Sequence, residues 1–224
     1  STCTDDAARR PPSRDRRRAW SESRPSRPSP MTHDELLQVL DFLRAAESLK
    51  TVVRSGWTSA GERESVAEHT WRLCLMALVL GPALPEVDFA RLVRICIVHD
   101  LGEAIGGDVP APEQVRRGTS KTSDERRDLL TLVAALPAVP REEIVALWDE
   151  YEAGVTPEAR LAKGLDKLET ILQHTQGKNP RDFDYRFNLD YGRRYAEGHP
   201  LLAELRAILD EATERRAREA AQDD

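Results

Sequence analysis

The stretch ICIVHDLGEAIGGDVP, residues 95–110, runs an apolar helix-forming segment into a tight group of polar residues. Ile95 to Val98 lead directly to His99-Asp100. Glu103 and Asp108 follow, with Gly106-Gly107 between them. Charged groups do not normally end an apolar helix unless something satisfies them. His99 shares a helical stripe with Leu92 and Ile95, Glu103 lies one turn further along, and Asp100 flanks that face. A solvated helix end, a buried ion-pair network and a bound cation each account for such a group. No Lys or Arg occurs from Ile95 through Gln114, which favours the cation, because a cation offsets the negative charge directly. Gly106-Gly107 ends the helix and lets the chain turn so that Asp108 points back, and Val109-Pro110 stiffens the exit.

Outward from this stretch the pattern is helical. Leu36, Leu37, Leu40 and Leu43 mark a helix over residues 33–48. Residues 49–63 are polar, contain Gly56 and Gly61, and read as a loop. Further helices are expected over 64–81, 87–105, 122–136, 141–152, 157–177 and 200–220, with 180–198 partly helical. No run alternates with the period of a strand over a useful length. The fold class is all-α: one helical domain over residues 31–224, with a metal site between helices.

The five histidines divide by context. His33 and His199 stand at helix starts and read as exposed or capping residues. His174, near the end of an apolar helix, suits the helix dipole when protonated. His69 shares the core-facing stripe of Val66, Leu73, Met76 and Leu80, so it is either a hydrogen-bonded core residue or a ligand. Asp166 lies mid-helix in LAKGLDKLETIL, either bridged to Lys163 or Lys167 or turned to a site. Together His69, His99, Asp100 and Asp166 offer two imidazole nitrogens and two carboxylates. That mixture suits a first-row divalent ion (Mn, Co, Fe, Ni or Zn) better than calcium.

Composition bounds the rest. The 224 residues suffice for one sizeable domain, and 40% hydrophobic with 32% charged residues is a globular balance. Residues 1–30 hold eight Arg against four acids and are otherwise rich in Ser and Pro, so they read as a disordered tail. Met31 opens the first periodic segment, which makes the tail an upstream extension or a mis-called start. The remaining 25 basic and 35 acidic residues give −10, which argues against a nucleic-acid surface. The longest apolar run, Leu73 to Leu80, is too short to span a membrane. Cys3, Cys74 and Cys96 lack CxxC spacing and fit a reducing cytoplasm.

The ordered pattern His69, His99-Asp100, Asp166 on helices resembles the HD-domain metal-dependent phosphohydrolases. ESVAEHTWR (64–72), VHDLGEAIGGDVP (98–110) and GLDKLETILQ (164–173) resemble their 5'-deoxynucleotidase branch. The resemblance covers roughly residues 38–200. It implies one divalent metal held by His69, His99, Asp100 and Asp166, with Mg as an option for a second site. It implies removal of the 5'-phosphate from deoxynucleoside 5'-monophosphates by metal-activated water, and a homodimer. Glu103 and Asp108 match the family's acids beside the phosphate, where they manage protons or help hold a second cation. Arg54 and Trp57, in VVRSGW, match its phosphate-facing Arg and its flat surface for sugar or base. Other readings are a nucleotide-like phosphate of secondary metabolism, a regulatory nucleotide as substrate, or a non-catalytic nucleotide-binding protein. A di-iron oxygenase would need histidines within residues 101–165, which contain none.

Overall fold

A computed structural model describes residues 30–109 and 121–222. The expected disordered tail, apart from Pro30, lies outside them, as does Pro110. Residues from His33 onward form one compact unit. Its helices are α1 (His33–Ala46), α2 (Val66–Leu80), α3 (Phe89–Val98), α4 (Glu103–Gly106) and α5 (Lys121–Leu132). They continue as α6 (Ala138–Ala153), α7 (Pro157–Gln176), α8 (Phe187–Asp190), α9 (Arg193–Ala196) and α10 (Pro200–Ala220). The all-α class holds.

Helix α7 is the axis of the unit. Thr156 caps its first turn by accepting from the Ala159 amide, and Pro157 opens it. It packs against α2, α3, α6 and α10. Leu165 and Leu168 join Leu73, Leu92, Ile95, Trp148 and Leu202 in the core. Its opposite side buries Asp166, Glu169, Thr170 and Gln173. Those positions follow the three- and four-residue rhythm of a single helix face. One face of α7 therefore builds the core and the other a polar interior.

Two expectations change. Residues 49–63 are not all loop: β1 (Val53–Trp57) and β2 (Arg63–Ser65) form an antiparallel hairpin, with Val53 opposite Ser65 and Trp57 opposite Arg63. The strands show no apolar alternation because Arg54 and Gly56, on one face, lie against α7 rather than against a hydrophobic core. The helix expected over 87–105 stops at Val98. Tighter bonds follow, from the Leu101 amide to the Val98 carbonyl and from Glu103 to Asp100, before α4 begins. The leucine stripe of α1 faces outward: Leu36, Leu37, Leu40 and Leu43 are each 45–55% exposed.

The start of α2 places His69. Ser65 accepts from the Glu68 amide while the Glu68 carboxylate accepts from the Ser65 amide, a complete capping box. Glu68 is thereby turned outward and His69 inward. Ser65→Ala should cost about 1 kcal/mol of stability, measured by chemical denaturation.

Candidate functional site

Four segments bring five side chains together. His69 comes from α2, His99 and Asp100 from the turn after α3, Asp166 from the polar face of α7, and Arg54 from β1. His69 is fully buried and His99 and Asp166 nearly so. Ligand-type atoms of His69, His99 and Asp166 all lie within 4.8 Å of one another. Nε2 of His69 is 3.3 Å from Asp166 Oδ1 and 3.8 Å from Asp100 Oδ2. Nε2 of His99 is 3.0 Å from the same Asp100 oxygen.

The far side of each ring decides which nitrogen faces the site. His99 Nδ1 lies 2.8 Å from the Cys96 carbonyl oxygen, which only accepts, so Nδ1 carries the hydrogen. His69 Nδ1 donates to the Glu169 carboxylate. Both Nε2 atoms are buried, and no hydrogen-bond partner satisfies either. Two buried, unsatisfied imidazole nitrogens beside two carboxylates fit a divalent cation, which would take the place of a proton on His69, and histidine ligands are usually oriented by a carboxylate or carbonyl on their other nitrogen.

Charge explains the surroundings. Burial and Arg54 act against a charged His69, but Glu169 and Asp166 outweigh them and raise its pKa to about 9. Burial works against an ionised Asp100, yet His99, Arg54 and His69 hold it well below the usual carboxylate range. Asp166 is held low in the same way, burial being overcome by Lys167 and the two histidines. Arg54 donates to Asp100 Oδ2 at 3.2 Å and to Thr170 Oγ1 at 3.1 Å. Burial opposes its charge, and Asp100, Asp108, Asp166 and Glu103 together override that. The local absence of Lys and Arg around His99 is therefore partly made good from β1, 46 residues upstream.

These groups line a cavity of about 670 Å³, within the usual range for small-molecule sites. Arg54, His99, Asp100, Glu103, Asp108 and Asp166 all reach it. Gly107, at a positive φ of 75°, ends α4 and turns the chain toward Asp108, as the Gly-Gly pair suggested. Trp57 is not among the lining residues. Its ring sits under the Arg63 guanidinium and edge-on to Phe183. The aromatic lining comes instead from Tyr151 and from Phe187, Tyr191 and Tyr195, the last three in the segment expected to be partly helical.

The remaining histidines sort themselves. His199 caps α10 by accepting from the Leu201 amide, and its Nε2 lies 2.8 Å from Glu86. His33 is exposed. His174 is not the protonated helix-end residue its position suggests. It is buried, burial lowers its pKa, and it donates to Asn188 Oδ1 at 2.9 Å.

Sequence reasoning missed two residues. Glu169 lies one turn after Asp166 in GLDKLETILQ, and it holds both His69 and, at 2.6 Å, Arg72. Tyr151 donates to Asp166 Oδ2 at 2.7 Å. The spacing of Glu169 from Asp166 was a usable signal; Tyr151, 15 residues before Asp166 and on another helix, offered none.

The arrangement defines an all-α domain with a buried His/Asp cluster under an arginine. The family model for the HD domain matches residues 46–206, and the chain belongs to that family. Among curated proteins, the 5'-deoxynucleotidase HDDC2 of Dictyostelium discoideum is 31% identical over 183 residues, which is 76% of this chain and 96% of that protein. The 5'-deoxynucleotidase HDDC2 of Mus musculus is 32% identical over 182 residues, covering 80% and 89%. A solved structure from Magnetospirillum magnetotacticum, described as a predicted metal-dependent phosphohydrolase, matches with a TM-score of 0.69. It is 30% identical and covers 81% of this chain and 97% of that one.

Glu169→Ala leaves His69 and Arg72 without their shared buried carboxylate. Removing one partner of a buried pair should cost about 3–5 kcal/mol, seen as a lower denaturation midpoint.

Proposed function

We propose that the chain is a metal-dependent phosphohydrolase that removes the 5'-phosphate from deoxynucleoside 5'-monophosphates. The observation that carries the reading is the pair of buried, unsatisfied Nε2 atoms of His69 and His99 beside Asp100 and Asp166. Likeness to the 5'-deoxynucleotidases of Dictyostelium and mouse supports the substrate class. His69, His99, Asp100 and Asp166 are the proposed ligands, for Mn, Co, Fe, Ni or Zn. The ion supplies Lewis acidity, acidifying water and offsetting phosphate charge.

The protein's own groups divide the remaining work. Eight carboxylates line the cavity, Asp100, Glu103, Asp108 and Asp166 among them, against five cations: Arg54, Lys163, Lys167, Arg193 and Arg194. A phosphate dianion entering that field needs further positive charge, which the ion provides. Arg54 presents a planar fork of donors to phosphate oxygens. Glu103 and Asp108 handle the protons of the attacking water and the leaving 5'-oxygen. The Phe187, Tyr191 and Tyr195 wall receives the sugar and base. We place the enzyme in the cytoplasm, acting on free nucleotides rather than on nucleic acid; Cys74 and Cys96 are both free thiols, and no described helix is long and apolar enough to cross a membrane.

Purified protein with Mn2+, Co2+ or Zn2+ should release phosphate from deoxynucleoside 5'-monophosphates, and Asp100→Ala should lose both metal and turnover. Metal-loaded protein that frees no phosphate from any 5'-monophosphate would sink the proposal. We further propose a homodimer. The outward leucines of α1, with Trp71, Leu78 and Val79 exposed on α2, form apolar strips suited to a second copy. Sedimentation equilibrium should give twice the chain mass, and Leu40→Glu with Leu43→Glu should shift it toward the monomer.

A further inference from the structure

Asp166 is the one proposed ligand whose carboxylate is gripped from two directions. Its Oδ2 accepts from the Tyr151 hydroxyl at 2.7 Å and from Lys167 Nζ at 2.8 Å. Its Oδ1 lies 3.3 Å from His69 Nε2. One oxygen is thus held by the protein while the other faces the imidazoles. A carboxylate can bind a metal through one oxygen or both, and two donors on Oδ2 leave Oδ1 as the coordinating atom.

Both donors are themselves fixed. The Tyr151 ring lies against His99, with centroids 5.2 Å apart, and Lys163 Nζ sits 4.1 Å above its face. The hydroxyl therefore has little room to swing away from Asp166. Lys167 bends back along the chain with Nζ 5.3 Å from the Tyr191 ring. Its stem fills the space beside Gly192, where an added Cβ would stand 2.5 Å from Lys167 Cβ. Gly192 also holds a positive φ of 67°, which side-chain-bearing residues rarely adopt.

Resting on the proposed metal site, the structure assigns Tyr151 and Lys167 as positioning residues that hold Asp166 to one-oxygen coordination. Neither touches the ion. Tyr151 fixes the carboxylate from α6, and Lys167 fixes it from within α7. The salt bridge to Lys167 and the ligand role of Asp166, which compete when only the sequence is read, are two halves of one arrangement.

The test is Mn2+ titration by calorimetry of the full chain, alongside the melting temperature of the metal-free protein. Tyr151→Phe keeps the ring against His99 and Lys163 and removes only the hydroxyl. Lys167→Met keeps most of the stem and removes the charge. Each should weaken Mn2+ binding roughly tenfold, the lower end for residues behind a ligand, with the metal-free melting temperature near wild type. Wild-type affinity in Tyr151→Phe overturns the assignment. Loss of the metal-free fold in both variants also overturns it, because that makes them packing residues. Wild-type protein that takes up no Mn2+, or Asp166→Asn protein that binds it as tightly as wild type, overturns the metal-site reading instead.

Discussion

A buried carboxylate must find positive partners or give up its charge by taking a proton. This chain places Glu64, Glu103, Asp166 and Glu169 almost wholly inside. Much of its architecture answers that demand. Arg54 and Arg72 approach from β1 and α2, Lys167 folds back from α7, and the two imidazoles stand among them. The hairpin is the least regular part of the unit, yet it delivers the arginine that touches Asp100. Without β1 the His99-Asp100 turn would face the cavity with no fixed positive side chain of its own neighbourhood.

The pairing also explains why α7 is buried on nearly all sides. Its apolar face could have packed on α2 and α3 with its polar face in water, as an ordinary amphipathic helix does. Instead Asp166, Glu169, Thr170 and Gln173 are covered by the hairpin, α2 and α6. Each finds a partner there: Tyr151, His69, Arg54 and the Trp57 carbonyl respectively. The hydrogen bond from Gln173 to Trp57 ties the hairpin down at the end remote from Arg54.

How much of this could be read in advance depended on where a residue's partner lay in the chain. The helices were legible because apolar spacing is a local signal. So was the charge anomaly at His99-Asp100, whose neighbourhood lacks basic residues over twenty positions. The hairpin was hidden because its inner face carries site charges, so the alternation that marks a half-buried strand is missing. Arg54 was legible only through the family resemblance of VVRSGW, and Tyr151 was not legible at all. Their partners are 46 and 15 residues away, and nothing local distinguishes them from surface residues. The α1 leucines marked a helix correctly, but periodicity reports an apolar face without saying what covers it.

The proposed ligands share one construction, and the exception to it is informative. His69, His99 and Asp166 each have one polar atom held by the protein and another facing their neighbours, which is how rigid sites are built. Asp100 does not. Its Oδ2 both accepts from Arg54 and faces the two imidazoles. Arg54 in turn is the fixed cation best shaped to meet a phosphate. On the proposed assignment the Asp100 carboxylate would serve the cation and the Arg54 guanidinium the phosphate, and the 3.2 Å bond between them ties the two halves of the site together.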